Sequence, residues 1–331
     1  MTTGLSYDGT VAGTTSYVSQ IATMAVVEET DPAFLTILPQ MITYAENRMY
    51  RDIDFMFTST SLHGATFVLT VGNRNLSFNI NLASNSDAAA GTFVVSEQIN
   101  LLTDANGNAA ATTDPDTCVR TPLLPTTKEF LDAVYGSSLT ANRGAPQYFV
   151  PFNETLFFVG PVPDQAYPVE VVGTYRPNSL GYMPAIISAS TGGNITFASN
   201  HGLTSGQTIW LSGFLPTGWN GSFTVTVTGL TTVTISTSAT TATTIGSVAK
   251  GASTTFISLY LPETFIMASM IYISAYQRNF GRASDDPQMA MTYESQYQAL
   301  LKSAVVEEAR KKFSASGWSS QSPTPVATPS R

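Results

Sequence analysis

Charge is scarce in this 331-residue chain, because Asp, Glu, Lys and Arg together make up only 11% of it. Soluble domains usually contain about a quarter of such residues, so we expect a surface that is polar without being ionic. Apolar residues still make up 43% of the sequence, which is enough for a buried core and excludes a largely disordered chain. Such a surface is typical of β-rich proteins of extracellular particles and of subunits buried in an assembly.

Cysteine and histidine are also scarce, with one Cys and two His in the chain. Cys118 cannot form an intramolecular disulfide, and its strand-like, Thr-rich surroundings predict a small, at least half-buried residue rather than a nucleophile. His63 and His201 lie beside glycines at predicted turns, with no Ser, Cys or carboxylate at the spacing of a triad or metal site. The sequence therefore predicts no enzyme, no cofactor and no metal, although distant carboxylates can still meet in a fold.

Long apolar runs are absent, and the longest, from Phe265 to Tyr276, is too short to cross a membrane. The first ten residues have neither the basic start nor the apolar block of a secretory signal. We therefore expect synthesis in the cytoplasm, without export or membrane insertion. The net charge of −8 with a scarcity of basic clusters also argues against a nucleic-acid-binding charge pattern.

Helical periodicity is found towards both ends of the chain. It predicts a helix from about Tyr17, a first turn capped by Thr30 or Asp31, and a longer helix that begins at Pro39. Near the C-terminus, "LPETFIMASMIYISAYQRNFG" and the segment from Ser284 onwards predict two helices joined by a short link, as an antiparallel hairpin.

Between these helices the apolar period changes to two, which predicts β-strands. "DANGN" at Asp104 to Asn108 carries alternating carboxylate and amide groups, but it lacks the closing acid of an EF-hand loop, so a turn is favoured over a calcium site. Thr126 to Gly136 predicts a short capped helix, and hairpin strands are expected near 148–152, 155–159 and 167–175. The predicted fold class is α+β, with a helical-bundle core and a small antiparallel β-sheet region.

An uncharged stretch lies between Arg176 and Lys250, and it alternates apolar and hydroxyl residues between tight turns. It predicts an inserted all-β module, a barrel or sandwich, over residues 186–252. The remaining boundaries follow: a core of helices and antiparallel hairpins over 1–185 and 253–313, and a flexible, Ser- and Pro-rich tail over 314–331.

The order of these segments is distinctive: a helix, "LPQMITYAENRMYRDI", a β region, "QYFVPFNETLFFVGPVPDQAYPVEVVGTYRP", "LPETFIMASMIYISAYQ", then a helix with "YESQYQALL". It resembles the head-to-tail adaptor (connector) proteins of tailed bacteriophages with short tails. In that family a short link follows the strand that ends in Tyr-Arg-Pro, so the module is an insertion here. The pieces "HGLTSGQTIWLSG" and "WNGSFTVT" look like β modules of phage tail and baseplate proteins.

The resemblance implies a structural virion protein in the neck between capsid and tail, made in the host cytoplasm. Its expected partners are the portal protein, tail nozzle or fibre proteins, and identical copies in a dodecameric ring. Double-stranded DNA would pass through without sequence-specific binding, and no membrane is involved. Portal docking is expected near the C-terminus, and the inserted module is expected to make outer contacts. The docking candidates are Arg310, Lys311, Lys312, Phe313 and Trp318, and the outer-contact candidates are Trp210 and Trp219.

Each of these candidates also has a simpler interpretation. The basic residues 310–312 suit a solvated last turn of a helix, favoured by the helix dipole and balanced by Glu307 and Glu308. Trp210 and Trp219 suit core packing or a subunit contact better than a sugar-binding platform. Trp318, alone in the tail, suits a docking anchor. Two other functions stay open: a tail-fibre or adhesin-type glycan-binding protein, and a peptidoglycan hydrolase.

Overall fold

A computed structural model describes residues 4–77, 91–277 and 288–311 of the chain. The chain divides into two compact units. Unit 1 comprises Met1–Asp54 and Ser179–Arg331, and unit 2 comprises Phe55–Asn178. Among the described residues, no helix combines the length and apolar character needed to cross a membrane.

Unit 1 contains the described helices other than α3, together with the strands of the uncharged stretch, and unit 2 contains α3 and most of the remaining strands. In chain order up to residue 178, the elements are β1 (Leu5–Ser6), β2 (Thr15–Ser16), α1 (Tyr17–Ala25), α2 (Pro32–Asp52), β3 (Ser59–Leu62), β4 (Asn75–Ser77), β5 (Gly91–Thr103), β6 (Val119–Pro122), β7 (Leu124–Pro125), α3 (Lys128–Tyr135), β8 (Tyr148–Asn153), β9 (Leu156–Gly160) and β10 (Val169–Pro177). After it come β11 (Ile186–Ser190), β12 (Asn194–Phe197), β13 (Thr208–Ser212), β14 (Gly221–Val227), β15 (Thr232–Ile235), β16 (Ser247–Lys250), α4 (Phe256–Tyr260), α5 (Pro262–Gln277) and α6 (Gln288–Lys311).

The helices of unit 1 begin at capping residues. Ser16 accepts a hydrogen bond from the backbone N–H of Ser19 at the start of α1, and Asp31 caps α2 in the same way. The predicted helix start at Pro39 is wrong, because α2 runs through this residue. Leu38 is fully buried just before the proline, so core packing stabilises the continuous helix despite the backbone hydrogen bond that proline removes.

Helix α5 is apolar on most sides because it lies among other helices of unit 1. It contacts α1, α2 and α6. The ring of Tyr17 stacks on that of Phe265, with centroids 4.8 Å apart, and its hydroxyl donates to Ser269 Oγ at 2.7 Å. This buried hydrogen bond satisfies the polar end of a large core side chain.

Unit 2 is built from two four-stranded sheets, ordered β3-β10-β5-β6 and β4-β9-β8-β7. Strand β10 pairs antiparallel with β3 and with the thirteen-residue β5. A shared core fills the unit with apolar side chains from both sheets, among them Ile99, Phe157 and Val171, and with Phe67 from the segment between β3 and β4. Helix α3 is capped by Thr127, whose hydroxyl accepts from the backbone N–H of Phe130.

The uncharged stretch forms one six-stranded sheet, ordered β11-β12-β15-β14-β13-β16. Alternate residues of its strands face a core of their own, which includes Ile195, Ile209 and Trp219. The cross-strand pairs Thr208↔Thr224 and Thr226↔Thr234 lie on the opposite side of the sheet. This alternation gives the sheet one apolar and one hydroxyl face.

The predicted fold class is wrong in its main statement. Strands far outnumber helices among the described residues, and the chain is mostly β rather than a helical bundle with a small sheet. The helices have the clearer periodicity in the sequence, whereas the sheets of unit 2 depend on pairings between distant segments such as β3 and β10. The predicted domain boundaries stay a prediction, since the two compact units divide at residues 54 and 178.

Candidate functional site

The two tryptophans of the uncharged stretch do not form an exposed pair. Trp219 is fully buried in the module core, and its indole N–H donates to the carbonyl of Thr240 at 2.8 Å. Trp210 is half-buried, and its ring meets that of Tyr7 edge to face with centroids 6.1 Å apart. Sugar stacking needs an accessible indole face, so Trp219 cannot supply one in this structure. The Trp219 ring is therefore not available for an outer contact, whereas the outer-contact prediction for Trp210 stays a prediction.

The described part of the predicted docking segment ends at Lys311. Its ammonium lies 2.6 Å from Glu308, 3.3 Å from Glu307 and 5.4 Å from the ring centroid of Phe256. The hydrogen bond with Glu308 and these charges raise the pKa of Lys311. Lys311 thus links α6 to α4 through the ring of Phe256. Lys311 and Arg310 are both exposed, which is compatible with a solvated last turn of the helix. The candidates Lys312, Phe313 and Trp318 lie outside the described residues.

Helix α6 is also held to α2 by an arginine that the sequence did not single out. Arg48 donates to both carboxylate oxygens of Glu294, at 2.8 and 2.6 Å, and its guanidinium lies 4.5 Å from the ring centroid of Tyr297. These hydrogen bonds lower the pKa of Glu294. A bidentate contact fixes both partners more firmly than a single hydrogen bond, so this cluster sets the packing of α6 on α2.

One buried carboxylate connects the two points where the chain enters and leaves the six-stranded sheet. Glu46 of α2 is 2% exposed and accepts from the backbone N–H of Leu180 at 3.1 Å and from the hydroxyl of Thr255 at 3.5 Å. A hydrogen bond with the side chain of Ser179 also reaches it. Burial raises the pKa of Glu46 to about 7, against these hydrogen bonds, which lower it. The amphipathic pattern of α2 gave no sign of a carboxylate in its buried stripe.

A second buried carboxylate lies in unit 2. Glu170 of β10 accepts from Ser61 Oγ at 2.7 Å, Asn100 Nδ2 at 2.8 Å and Arg120 Nε at 3.0 Å. Burial opposes its ionisation, but the hydrogen bonds from Asn100, Ser61 and Arg120 together lower its pKa. Because its acceptor positions are occupied by protein donors, this network stabilises the sheet and offers no free base.

The remaining sequence candidates have structural roles. His201 accepts the backbone N–H of Leu203 at Nδ1, and its Nε2 lies 3.0 Å from the carbonyl of Gly229. The predicted turn at 104–108 is confirmed, since Asp104 accepts from the backbone N–H groups of Asn106 and Asn108. Cys118 is half-buried, with Sγ 3.4 Å from Thr112 Oγ1. In the described ranges, no group of three or more His, Cys, Asp or Glu could hold a metal ion.

Neither a protein-family model nor a curated protein sequence matches this chain.

Proposed function

We propose that this chain is a structural subunit of a ring in the neck of a short-tailed phage particle, between the portal and the tail. The proposal rests on the order of elements: the segments that carry the resemblance become α2, the strands β8 to β10, α5 and α6, in that order along the chain. A carboxylate locked in protein hydrogen bonds, such as Glu170, supports a structural rather than a catalytic role.

Charge supports a passive DNA conduit. The chain has a net charge of −8, which a ring multiplies, and surfaces of that sign repel phosphate groups. Several basic side chains also form ion pairs with carboxylates of the same chain. Arg74 lies 2.6 Å from Asp132, and Arg120 lies 3.0 Å from Glu170. Double-stranded DNA would therefore pass without being held. Filter binding at low salt measures this, and tight, salt-sensitive binding of duplex DNA contradicts it.

Portal attachment is proposed for residues 305–331, whose described part ends with the exposed cations Arg310 and Lys311. Since Lys311 binds carboxylates of its own helix, its role there is to hold α6 in place. Deleting 314–331 should leave the cooperative unfolding transition intact and abolish co-sedimentation with portal rings. A matched control replaces the same residues with an equally long Gly-Ser segment, and attachment that survives both changes contradicts the assignment.

The six-stranded sheet is assigned to contacts with tail nozzle or fibre proteins. Its hydroxyl face, which includes Thr226 and Thr234, supplies hydrogen-bonding groups without charge, so such contacts would depend little on salt. Micrographs of the mature particle with labelled antibodies test the proposal as a whole. Label at the vertex where capsid joins tail is the expected result, and label confined to fibre tips or capsid faces contradicts it.

The two alternative functions have direct assays. A glycan array detects an adhesin, but the burial of Trp219 removes one of the two indoles on which that alternative depended. Loss of turbidity in a peptidoglycan suspension detects a hydrolase. Activity in either assay, without label at the neck, would replace the ring proposal.

A further inference from the structure

The outward side of helix α6 carries two positive charges that form no ion pair with the described residues. The helix buries a narrow stripe that includes Tyr297, Ala304 and Glu308. Lys302, Val306 and Arg310 follow one another at intervals of four residues on the other side, so they share one face. All three are exposed. Among the residues that the structure describes, neither Lys302 nor Arg310 forms an ion pair. We call this the α6 face.

Unit 2 carries an exposed apolar surface of a different kind. It consists of four side chains that are 39 to 57% exposed: Leu124, Phe130, Val134 and Phe152. We call it the α3 surface. A large contiguous apolar patch on a soluble protein usually marks a contact site.

These side chains lie on one side of the sheet β4-β9-β8-β7. Leu124 is the strand partner of Tyr148, and the ring of Phe130 lies 5.4 Å from that of Tyr148. Helix α3 is seated on this side because Gly160 has no side chain. A Cβ there would lie 2.6 Å from Leu131 Cδ2. The contact fixes α3 and holds Phe130 and Val134 at the surface.

The continuation of this side towards Phe152 follows from the neighbouring strand. The ring of Phe152 lies 5.0 Å from that of Phe158, and Phe158 is the strand partner of Val150. Val150 and Tyr148 are two residues apart on β8 and therefore share a side. The α3 surface thus extends along the strand.

The charge at the margin of the α3 surface is negative. Glu129 precedes Phe130 and Glu154 follows the strand of Phe152; both are exposed, and among the described residues neither forms an ion pair. The third acid nearby, Asp132, is already occupied by Arg74 at 2.6 Å and Lys128 at 2.7 Å. Two free carboxylates therefore accompany an apolar surface.

We infer that the α3 surface of one copy binds the α6 face of a second copy. Val306 and two cations on one side match apolar side chains and two carboxylates on the other, so apolar burial and charge favour the same contact. The α6 face from Lys302 to Arg310, extended by Ser295 and Ala299 of the same side, is about 22 Å long. This length suits one side of a standard interface of about 800 Å² per partner.

The two contacting regions differ, so the interface is head-to-tail and each subunit keeps one free region for the next. This inference deepens the proposed function and rests on it for the closure into a ring. The contact itself depends only on the two surfaces. Because it uses Val306 and Arg310, the proposed portal contact is left to the other residues of 305–331.

A charge exchange tests the contact with the full-length chain. Variant A carries Glu129→Lys and Glu154→Lys, and variant B carries Lys302→Glu and Arg310→Glu. In each variant alone, the α3 surface and the α6 face carry charges of the same sign. In an equal mixture, the basic α3 surface of A meets the acidic α6 face of B, and the acidic α3 surface of B meets the basic α6 face of A.

Sedimentation velocity over a concentration series gives the readout. Wild-type protein should associate, A and B alone should associate at least about tenfold more weakly, and their mixture should recover assemblies. The control carries Glu28→Lys and Glu29→Lys, two exposed loop changes that alter the net charge as much as variant A does, and it should associate like the wild type. A second pair of variants, Phe130→Ser and Leu230→Ser, separates the α3 surface from an unrelated exposed apolar site, and only the first should weaken association.

A wild-type monomer at every concentration, A or B with undiminished association, or a mixture that stays dissociated would overturn the inference. These outcomes differ from those that test the proposed function. Charge-dependent assembly of a protein that is absent from the neck supports the contact and refutes the location. Label at the neck, together with association that neither variant A nor variant B weakens, refutes the contact alone.

Discussion

Substituting Glu46 by Gln should make the protein more stable at alkaline pH and leave it nearly unchanged at acidic pH. The carboxyl is 2% exposed, and burial raises its pKa from 4.5 to about 7. Gln has the same shape and keeps an oxygen that accepts the N–H of Leu180 and the hydroxyl of Thr255. It carries no charge, so burial costs it less.

The sign follows from proton linkage. The folded pKa lies above the unfolded one, so the contribution of Glu46 to stability is fully present below pH 4.5 and is lost as the pH rises through about 7. Complete ionisation costs about 3 kcal/mol of unfolding free energy. The titratable groups that bear on Glu46 include Tyr17 of α1, whose own pKa burial raises further above its usual range. It stays neutral across this window.

Urea denaturation at a series of pH values measures the effect. The unfolding free energy of Glu46→Gln minus that of the wild type should be small near pH 4 and should approach about 3 kcal/mol near pH 8. Glu28→Gln, an exposed loop acid, serves as the control and should show no such rise. A difference between the two proteins that does not change with pH would refute the reasoning, and so would a loss of stability that is greatest at pH 8.

Arg48→Gln should lower the unfolding free energy by about 1 kcal/mol, since it leaves Glu294 without its bidentate partner. Adding Glu294→Gln should lower it little further, and additive losses in a double-mutant cycle would contradict the coupling between the two residues. Trp219→Ala should destabilise the protein by about 3 kcal/mol or more, because a fully buried indole leaves a cavity. Unchanged urea unfolding would place the ring outside the core. Replacing residues 186–252 with a short linker should preserve cooperative unfolding of the helices in circular dichroism, provided that Tyr7, which loses its Trp210 contact, is changed to a polar residue. Aggregation of this variant would show that the sheet is required by the rest of unit 1.

Local signals in the sequence identified several elements correctly. Asp31 caps α2 and Thr127 caps α3, as hydroxyl and carboxylate side chains at helix starts predict. Alternating residues located the strands from Tyr148 onwards and those of the uncharged stretch to within a few residues. These features depend on neighbours in the chain, which a sequence displays directly.

Features that depend on distant residues were missed. Pro39 is a strong local signal for a helix start, but the buried Leu38 and the core around it override this signal. The large share of β-structure in unit 2 depends on pairings between distant strands, such as β3 with β10. Periodicity does not show which strands pair. Glu46 and Arg48 stood in the sequence as ordinary helix residues. Only the fold brings Leu180 and Glu294 to them.

The entry and exit of the six-stranded sheet are hydrogen-bonded to each other as well as to Glu46. The backbone N–H of Lys250 donates to the carbonyl of Gly181 at 2.9 Å, and that of Gly181 donates to Ser253 Oγ at 3.0 Å. A segment whose two ends are held side by side can be lengthened, shortened or exchanged without moving its anchor points. Recombination between related genes could therefore replace this segment without moving Glu46, Gly181 or Ser253, which hold its two ends. The structure thus allows evolution to exchange one inserted segment for another at this position.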